Sequence, residues 1–554
     1  MNEDVNEKQG GEKSKRPWKP NRTRTVKSKK SFDRKKMEHL VSEDRPAYKG
    51  ELDPRQKDPD RKPRSISFSE QKVMDKAAKL AEKEGGGDGR NRLATHTDFR
   101  ELFETCKASP GRLAALYATQ QVRKRKAYAQ EIIEASIDTS KLSAEDRAFA
   151  TLLTLGVVST QGALDNVINR AIRDPRDIQP DVRDAIRISA YEIIFLKKAP
   201  HAAVDQGVEL VRAVAPSASG LANAVLHRIL EGSDKFPYGD PTKDIDALAL
   251  LYAFPTWLTK TLVADLGAQA AVQLMKASNG QAPLFISVNA LQATDDEIVA
   301  LFSEVGCELE PASSGGVEVA GCYRVPNTRA LADGRIARLF SQGKILVSDA
   351  SAQAVAQSVL EGGLPENMLE IGSGRGTKTM LLQNFAYRMY GEQLALTCMD
   401  SHGFKTDLLR ERAQAYGVEI EEFITGNATR LDSVIGDRAF STVFIDAPCS
   451  GLGTLRRHHE IRWRLQPEQI DELAEVGLAL LKSAASHVSV GGTLVYSTCT
   501  VTYAENNGVI KRFLESDEGK NFKLIPIYGK ACFAPQLSDD SPDAHFATKF
   551  MRIS

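Results

Sequence analysis

The sequence has no long apolar run. No stretch approaches 18 consecutive apolar residues, the length that a helix needs to span a bilayer. The N-terminal region also lacks the apolar core of a secretory signal peptide. These absences predict a protein with no membrane span that resides in the reducing cytoplasm.

Cysteine is scarce and scattered. The chain has seven cysteines, an odd number, and none of them forms a Cys-x-x-Cys pair. This pattern argues against a disulfide framework and a structural zinc site, so we expect no bound metal. The adjacent His458 and His459 do not point to one metal either, and we expect them at the surface or in contact with nucleic acid. The seven cysteines are Cys106, Cys307, Cys322, Cys398, Cys449, Cys499 and Cys532.

Charge is balanced over the whole chain, with 73 basic and 73 acidic residues, but not at its beginning. Residues 11–40 carry twelve Lys or Arg and three acids, a net charge of +9. Residues 1–104 are polar and contain too little apolar surface to fold. This composition predicts a disordered basic tail, with one helix around Glu70–Glu84. Its partner would be a polyanion such as nucleic acid, and the alternative is a solvated tail without specific contacts.

The remaining chain divides into three predicted regions. Residues 105–235 show helical periodicity throughout and predict an all-α domain. Residues 236–345 begin with a connector rich in Gly, Pro and Asp, followed by helices and a small α+β unit. Residues 346–554 alternate strands and helices, which predicts an α/β domain with a parallel sheet.

The small α+β unit has three short apolar runs and one predicted helix, Asp295–Val305. The apolar runs are the candidate strands of this unit, and they occupy Leu284–Val288, Gly316–Val319 and Gly343–Val347.

Two short motifs follow predicted strands of the α/β domain. Asp446-Ala447-Pro448-Cys449 follows Thr442–Ile445, and Ser497-Thr498-Cys499 follows Thr493–Val495. The 50 residues between the two cysteines fit one strand–helix–strand crossover, with a helix beginning at Pro467. Because ligands of open α/β sheets bind at the carboxyl ends of the strands, we expect both cysteines and Asp446 to meet at one rim.

A glycine-rich turn precedes these motifs. Gly372-Ser373-Gly374-Arg375-Gly376 follows the first predicted strand, Met368–Ile371, and Asp400 ends the second. Glycines allow a ligand to approach the backbone, and an acid at the second strand can accept the ribose hydroxyls of a nucleoside. The pattern favours an adenosine-containing ligand, and the alternative is an ordinary tight turn with a surface acid.

The cysteines suggest covalent chemistry. A thiolate at Cys499 could add to an electrophilic carbon such as C6 of cytosine, which makes C5 nucleophilic enough to take a methyl group. Asp446 could hydrogen-bond the edge of the base as charge builds on the ring. Cys449 could then help to remove the C5 proton or to expel the enzyme. The alternative is that both cysteines are small buried apolar residues.

The two motifs resemble the fourth and sixth motifs of the RNA (cytosine-5) methyltransferases, which use S-adenosylmethionine. The segments around them also match this family. The matching residues are Gly453, Arg456, Glu460-Ile461-Arg462-Trp463, Glu505-Asn506, Pro255-x-Trp257-Leu258, Val288-Asn289 and Ser348-Asp349-Ala350-Ser351.

The helical domain is similar to the transcription antitermination factor NusB. The matching segments are Asp146–Phe149, Pro200–Val204 and Ala222–Leu226. A NusB-like domain fused to this type of methyltransferase is the arrangement of the bacterial RsmB-type small-subunit ribosomal RNA methyltransferases. The resemblance implies an all-α NusB-like RNA-binding domain, a small α+β RNA-binding insert and an α/β Rossmann-like methyltransferase domain.

The resemblance also implies roles for individual residues. Cys499 would be the nucleophile, Cys449 would assist release, and Asp446 would contact the base. Lys378 is the lysine of the first motif, and its alternative role is a surface charge at a helix N-terminus. The residues implied in S-adenosylmethionine binding are Gly372, Ser373, Gly374, Arg375, Gly376, Thr377, Lys378, Asp400, Asn427 and Asp446.

Several positions depart from the family pattern. The first motif usually reads Asp-x-Cys-Ala-Ala-Pro-Gly-Gly-Lys-Thr, whereas Glu370–Thr379 retains the leading acid, one glycine and the final Lys-Thr. Asn427 replaces an aspartate, and Ser287 stands where arginine is common. Near the end of the chain, Asp543-Ala544-His545-Phe546 replaces the usual Asp-Gly-Phe-Phe.

These observations predict an S-adenosylmethionine-dependent RNA (cytosine-5) methyltransferase that acts on ribosomal RNA, most simply as a monomer. The alternative is an RNA-binding ribosome-assembly factor whose methyltransferase domain has weakened or lost its activity. A DNA cytosine methyltransferase fits less well, because those enzymes place the nucleophile in a Pro-Cys string, and here a second thiol accompanies Cys449.

Overall fold

A computed structural model describes residues 106–136 and 142–554 of the chain. The predicted basic tail, residues 1–104, and its predicted helix Glu70–Glu84 lie outside the described residues.

The first domain is built of helices packed around one apolar core. Proline occupies the first turn of three of them, where its missing N–H costs no hydrogen bond. The side chain of Ser143 caps another by accepting from the backbone N–H of Asp146. The helices are α1 (Pro110–Arg125), α2 (Ala129–Ser136), α3 (Ala144–Ala171), α4 (Pro180–Ile194), α5 (Pro200–Val214) and α6 (Ser219–Gly232).

Three short helices lead to a small four-stranded sheet. The helices are α7 (Ile245–Tyr252), α8 (Thr256–Leu266) and α9 (Ala268–Ala277). The strands have the antiparallel order β2-β3-β1-β4, and two helices accompany them. These elements are β1 (Phe285–Val288), α10 (Asp295–Glu304), β2 (Glu310–Ser314), β3 (Val317–Arg324), α11 (Gly334–Ser341) and β4 (Ile345–Val347).

This sheet has one more strand and one more helix than the sequence predicts. Strand β2 has the sequence Glu-Pro-Ala-Ser-Ser, which contains no apolar run, and it forms only because it pairs with β3. Helix α11 is short and buries only Ile336 and Leu339. Helix α11 has a local signal that the prediction missed, since Asp333 caps its first turn and its two buried residues are three positions apart on one face. Strand β2 has no such signal.

Within the described residues, no single helix is long and apolar enough to cross a membrane. One bent pair, α7 with α8, meets that test of length and composition only when its two halves are counted together.

The C-terminal region forms a seven-stranded sheet of order β10-β11-β9-β8-β5-β6-β7. Its strands are β5 (Met368–Ile371), β6 (Leu396–Asp400), β7 (Glu422–Thr425), β8 (Phe440–Asp446), β9 (Val488–Thr498), β10 (Phe522–Ile525) and β11 (Phe546–Arg552). Its helices are α12 (Ala350–Val359), α13 (Thr377–Tyr390), α14 (Gly403–Tyr416), α15 (Asp432–Ile435), α16 (Ile461–Arg464), α17 (Pro467–Ala485) and α18 (Asn507–Leu514).

The sheet is mixed, whereas the sequence predicts a parallel one. Strands β5 to β9 pair in parallel, as expected. Strand β11 runs antiparallel to both of its neighbours, β9 and β10, so it alone is reversed. The prediction failed here because the direction of a strand depends on how the chain enters the sheet, which periodicity does not report. The reversal brings the beginning of β11 to the rim where the parallel strands end.

The α-helical domain packs directly on the methyltransferase-like region through the segment around α16. The indole Nε1 of Trp463 donates a 2.9 Å hydrogen bond to the carbonyl of Ser159, and its ring lies against Gly162 of α3. Arg464 donates to the carbonyl of Ala127 at 2.7 Å, and the carboxylate of Glu460 accepts from the N–H of Ala129. The residues that follow Cys449 in the chain therefore form the interface between these two parts.

We expect Gly162→Ala to destabilise the protein. A Cβ at this position would lie 2.2 Å from the Trp463 ring, so the indole would have to move. Overpacking of this kind costs about 1–3 kcal/mol, although alanine is otherwise the better helix former by up to about 1 kcal/mol. Chemical denaturation would measure the change. Gly220→Ala in α6 is the matched control, because nothing lies within 4 Å of its added Cβ, and equal stability of the two variants would contradict the expectation.

Candidate active site

The parallel pairing of β8 with β9 brings the two cysteine motifs together. Asp446 lies opposite Ser497 in the register, and both chains then leave the sheet at its carboxyl edge. The sulfur atoms of Cys449 and Cys499 lie 3.3 Å apart, and the backbone N–H of Cys499 donates to Cys449 Sγ at 3.3 Å. Both cysteines and Asp446 are partly exposed, so a ligand at the rim can reach them.

A buried carboxylate holds the two cysteine loops against each other. Glu505 accepts hydrogen bonds of 2.6 Å from the N–H of Ser450 and from the hydroxyls of Ser450 and Thr502. Asn506 accepts from the hydroxyl of Thr498 and donates to the carbonyl of Thr500. The sequence marks Glu505-Asn506 only as a family match, and the tertiary structure gives these residues their role as a clamp.

Lys378 does not lie on the surface as a free charge. Its Nζ forms a 2.7 Å ion pair with Asp446 Oδ2, and its side chain is only 12% exposed. Burial lowers the pKa of Lys378, but the Asp446 carboxylate and the two nearby sulfur atoms together raise it by more, so the net pKa is raised and the ammonium stays charged. The other oxygen, Asp446 Oδ1, accepts from the hydroxyl of Ser497 at 3.3 Å.

The glycine-rich turn passes directly over the end of β8. Gly372 has φ +83°, and a Cβ there would lie 2.4 Å from the backbone oxygen of Asp446. Only glycine permits this approach. The N–H of Gly374 donates to Asp400 Oδ2 at 3.0 Å, which ties the turn to the end of β6. The turn leads into the N-terminus of α13, which begins at Thr377.

The other residues implied in cofactor binding are spread along the same edge of the sheet. Asp400 is buried, and its Oδ1 also accepts from the N–H of His402. Ser373 is buried, and Arg375 is exposed at the tip of the turn. Asn427 is exposed beyond β7, and its side-chain oxygen accepts from the N–H and hydroxyl of Thr429.

The two thiols have opposite electrostatic environments. The S–H of Cys449 can donate to the sulfur of Cys499, and this contact lowers the pKa of Cys499. Burial opposes the shift, and the nearby Lys378 ammonium adds to it. The same contact, with burial, raises the pKa of Cys449 well above its usual value. Of the two, Cys499 is therefore the thiol that loses its proton more readily.

Glu370, at the end of β5, lies under the glycine-rich turn. It is fully buried, its Oε2 accepts from the hydroxyl of Thr379 at 2.6 Å, and its Oε1 has no hydrogen-bond partner. Burial raises the pKa of this carboxyl to about 7, although the hydrogen bond from Thr379 opposes the shift.

The histidine pair lies in a different place from the one predicted. His459 is buried, and burial lowers its pKa to about 3. His458 packs against Tyr128 of the helical domain, with ring centroids 4.9 Å apart. The expectation of a surface position was wrong for His459, which is buried, whereas His458 is partly exposed beside the helical domain. No local pattern reveals this packing, and contact of the pair with nucleic acid stays a prediction.

Three family models match successive parts of the chain. The NusB family matches residues 109–231, the ferredoxin-like domain of the RsmF/B-like methyltransferases matches residues 254–325, and 16S rRNA methyltransferase RsmB/F matches residues 358–539. The "probable ribosomal RNA small subunit methyltransferase B" of Synechocystis is 30% identical over 417 residues, which cover 74% of this chain and 89% of that protein. The chain belongs to the RsmB/F family of 16S rRNA methyltransferases.

A second relative agrees with this assignment, and one solved structure has the same fold. The ribosomal RNA small subunit methyltransferase B of an Escherichia coli strain is 28% identical, over 68% of this chain and 83% of that protein. The crystal structure of PH0851 has the same fold, with a TM-score of 0.64 and 21% identity, and covers 81% of this chain and 100% of that one.

Members of the RsmB/F family use S-adenosylmethionine as methyl donor, and the rim of this sheet fits that cofactor. A Cβ on Gly374 would meet only the Gly372 oxygen, at 3.8 Å, so the turn is open to a ligand at this position, and the same residue is hydrogen-bonded to Asp400, an acid suited to a ribose. Gly372–Lys378, Asp400 and Asn427 are the residues that would hold it, and the cofactor supplies an electrophilic methyl group.

We expect iodoacetamide to alkylate Cys499 faster than Cys449 at neutral pH. The reason is that the thiolate is the reacting form and the pKa of Cys499 is lowered. Cys449→Ala should slow the alkylation of Cys499, because it removes the S–H donor, while Cys449→Ser should retain part of the effect through its hydroxyl. Peptide mass spectrometry would give both rates. Unchanged alkylation of Cys499 in both variants would contradict this explanation.

Glu370→Gln should make stability less dependent on pH. The pKa of the Glu370 carboxyl is about 7 in the folded protein and 4.5 in the unfolded chain, so the folded protein keeps this proton to a higher pH. The contribution of Glu370 to stability must therefore decrease as pH rises through this window. The unfolding free energy of Glu370→Gln relative to the unaltered protein should increase by up to about 3 kcal/mol between about pH 5 and pH 8.

Chemical denaturation at several pH values would measure this difference. Glu421→Gln, at an exposed carboxyl, is the control for the loss of one surface charge. A constant difference between Glu370→Gln and the unaltered protein over the whole range would show that Glu370 does not keep its proton.

Proposed function

We propose that this RsmB/F methyltransferase methylates C5 of a cytosine in small-subunit ribosomal RNA through a covalent bond between Cys499 and C6 of the base. The observation that carries the proposal is the 3.3 Å contact between the two sulfur atoms, one of which has a lowered pKa and the other a raised pKa. A thiol with a lowered pKa suits the role of nucleophile, and a neighbouring thiol that is protonated at first suits the role of proton acceptor in a later step.

The first step would be addition of the Cys499 thiolate to C6. A carbon–sulfur bond forms, and the electrons of the C5–C6 double bond move into the ring, so that C5 becomes nucleophilic. The Lys378–Asp446 pair lies next to both sulfur atoms and supplies a fixed cation and hydrogen-bonding groups for the charge that develops on the base. C5 then accepts the methyl group.

The second step would remove the C5 proton. Once Cys499 is bonded to carbon, it no longer bears the charge that raises the pKa of Cys449. Cys449 can then lose its own proton to solvent and accept the one from C5. Elimination breaks the bond between C6 and sulfur, restores the double bond and returns Cys499 to its thiolate form.

The target cytosine must leave its stack, because C6 cannot be reached inside a helix. We propose that residues 105–235, residues 236–345 and the basic tail 1–104 supply the RNA contacts. Binding should then weaken as salt rises, because phosphate contacts are lost. That the protein acts as a monomer in the cytoplasm stays a prediction.

A trapped adduct tests the mechanism. Cys449→Ala, incubated with S-adenosylmethionine and an unmodified small-subunit ribosomal RNA transcript, should give a covalent protein–RNA band on a denaturing gel, because addition occurs but release does not. Cys449→Ala with Cys499→Ala should give no band. The matched control is Cys532→Ala, another partly buried thiol, whose pKa is raised by burial alone.

Absence of the band, together with no methyl transfer by the unaltered protein, would reject the proposal. In that case, retention of RNA binding without binding of S-adenosylmethionine, measured by calorimetry, would favour a ribosome-assembly factor.

A further inference from the structure

The reversed strand β11 places a histidine beside the nucleophile. Because β11 is antiparallel to β9, it begins at the rim where β9 ends. Phe546 lies opposite Thr498 in the last pair of this ladder, and His545 and Cys499 adjoin that pair directly, one on each strand. The ladder therefore brings the backbones of His545 and Cys499 to the same point of the rim.

The backbone around His545 is fixed by three connected segments. The N–H of Ala544 donates to the carbonyl of Gly453 at 3.1 Å, and the N–H of Gly453 donates to the carbonyl of Cys499 at 2.9 Å. A Cβ on Gly453 would lie 1.9 Å from the Ala544 oxygen and 2.8 Å from the Cys499 oxygen. The segment that carries His545 is therefore packed against the backbone of Cys499 with no space for a side chain between them.

Charged residues hold the same segment from the other side. Asp543 accepts from Arg457 at 2.7 Å, and its N–H donates to Asp349 at 3.0 Å. Arg457 also contacts Asp349 at 3.2 Å. Asp543 is thus held by Arg457 and Asp349, and Ala544 is held by Gly453. These contacts fix the backbone that leads into His545.

One nitrogen of the His545 imidazole has no partner in the structure. His545 is 6% exposed, and its Nδ1 is buried without a hydrogen bond in the structure. Burial, and then the nearby Lys378 ammonium, lowers the pKa of His545 to about 4, so the ring is neutral at pH 7. A neutral imidazole has one nitrogen that donates and one that accepts. Buried polar groups without partners are rare in proteins and often mark a place where a ligand completes the contact.

The side chain faces the reactive groups. Phe546 packs into the apolar core that contains Phe513 and Phe550, whereas Ala547 packs into the core on the opposite face. Alternation along the strand puts His545 on the face of Ala547, which is also the face of Ser497, the residue that hydrogen-bonds Asp446.

We propose that His545 is a contact residue for the target pyrimidine, and that its imidazole hydrogen-bonds the polar edge of the base that Cys499 attacks. This inference rests on the proposed function, since it requires a pyrimidine at Cys499. His545 lies outside both cysteine motifs, so it adds a contact to the base that those motifs do not provide. The ring would orient the base so that C6 faces the thiolate.

Four substitutions at one position separate this role from simple packing. His545→Phe and His545→Ala remove the hydrogen-bonding nitrogens, and phenylalanine keeps the ring. His545→Asn and His545→Gln place a polar atom near the positions of Nδ1 and Nε2, respectively. Each variant would be assayed for methyl transfer to an unmodified small-subunit ribosomal RNA transcript, for affinity toward S-adenosylmethionine, and for its unfolding midpoint.

We expect kcat/KM for RNA to fall about ten- to hundredfold in the Phe and Ala variants, which is the usual cost of a lost hydrogen bond in a buried site. Either Asn or Gln should recover most of the activity. Affinity for S-adenosylmethionine should stay unchanged in all four variants. The unfolding midpoint should fall only in His545→Ala, which leaves a cavity at a buried position. Each substitution would also be combined with Cys449→Ala. The covalent protein–RNA band should then be weak with His545→Phe or His545→Ala and stronger with whichever of Asn or Gln restores activity.

Full activity of His545→Phe would overturn the inference, because the ring would then only fill space. Loss of cofactor affinity in the Phe and Ala variants, with unchanged KM for RNA, would also overturn it by assigning His545 to the cofactor. In both cases the unaltered protein still methylates RNA, so the proposed function stands. Failure of the unaltered protein to methylate RNA would overturn the function and the contact together.

Discussion

The parallel pairing of β8 with β9 is the constraint on which the chemistry of this protein depends. The two strands are 50 residues apart at their cysteines, yet their register puts Asp446 opposite Ser497 and leaves the two sulfur atoms 3.3 Å apart. A shift of one residue would turn the side chains of one strand to the other face of the sheet and separate the thiols. The helix α17 between them closes the crossover and buries one face against the sheet.

Buried polar groups make this register specific. The carboxylate of Glu505 accepts from both cysteine loops, and Asn506 joins the residues on either side of Cys499. Burial of a carboxylate costs free energy unless its oxygens are hydrogen-bonded, and here donors from two segments are needed to satisfy it. The loops therefore hold each other in place, because separating them would leave the Glu505 carboxylate buried with too few partners.

The helical domain contributes to the same arrangement from outside the sheet. Its helix α3 and the turn after α1 contact Trp463 and Arg464, a short distance along the chain from Cys449. Arg462 is completely buried between these contacts, where it donates to Asn279 and lies over the ring of Phe254. The segment 462–464, which follows the Cys449 loop in the chain, is thus held by the helical domain and by residues 254–279, and the helical domain supports the catalytic region.

Local sequence determined the parts of this protein that depend on short-range patterns. Helical periodicity, alternating strands and helices, the glycine-rich turn and the two cysteine motifs are all contained within a few consecutive residues, and from them the three-part fold and the rim of the sheet could be predicted. Only the tertiary structure decided the direction of β11, the presence of β2, the buried ion pair of Lys378 with Asp446 and the covered position of His459. These features arise from pairings between residues far apart in the chain. Their energies come from burial, register and electrostatic contact, which no segment possesses before the others have packed against it.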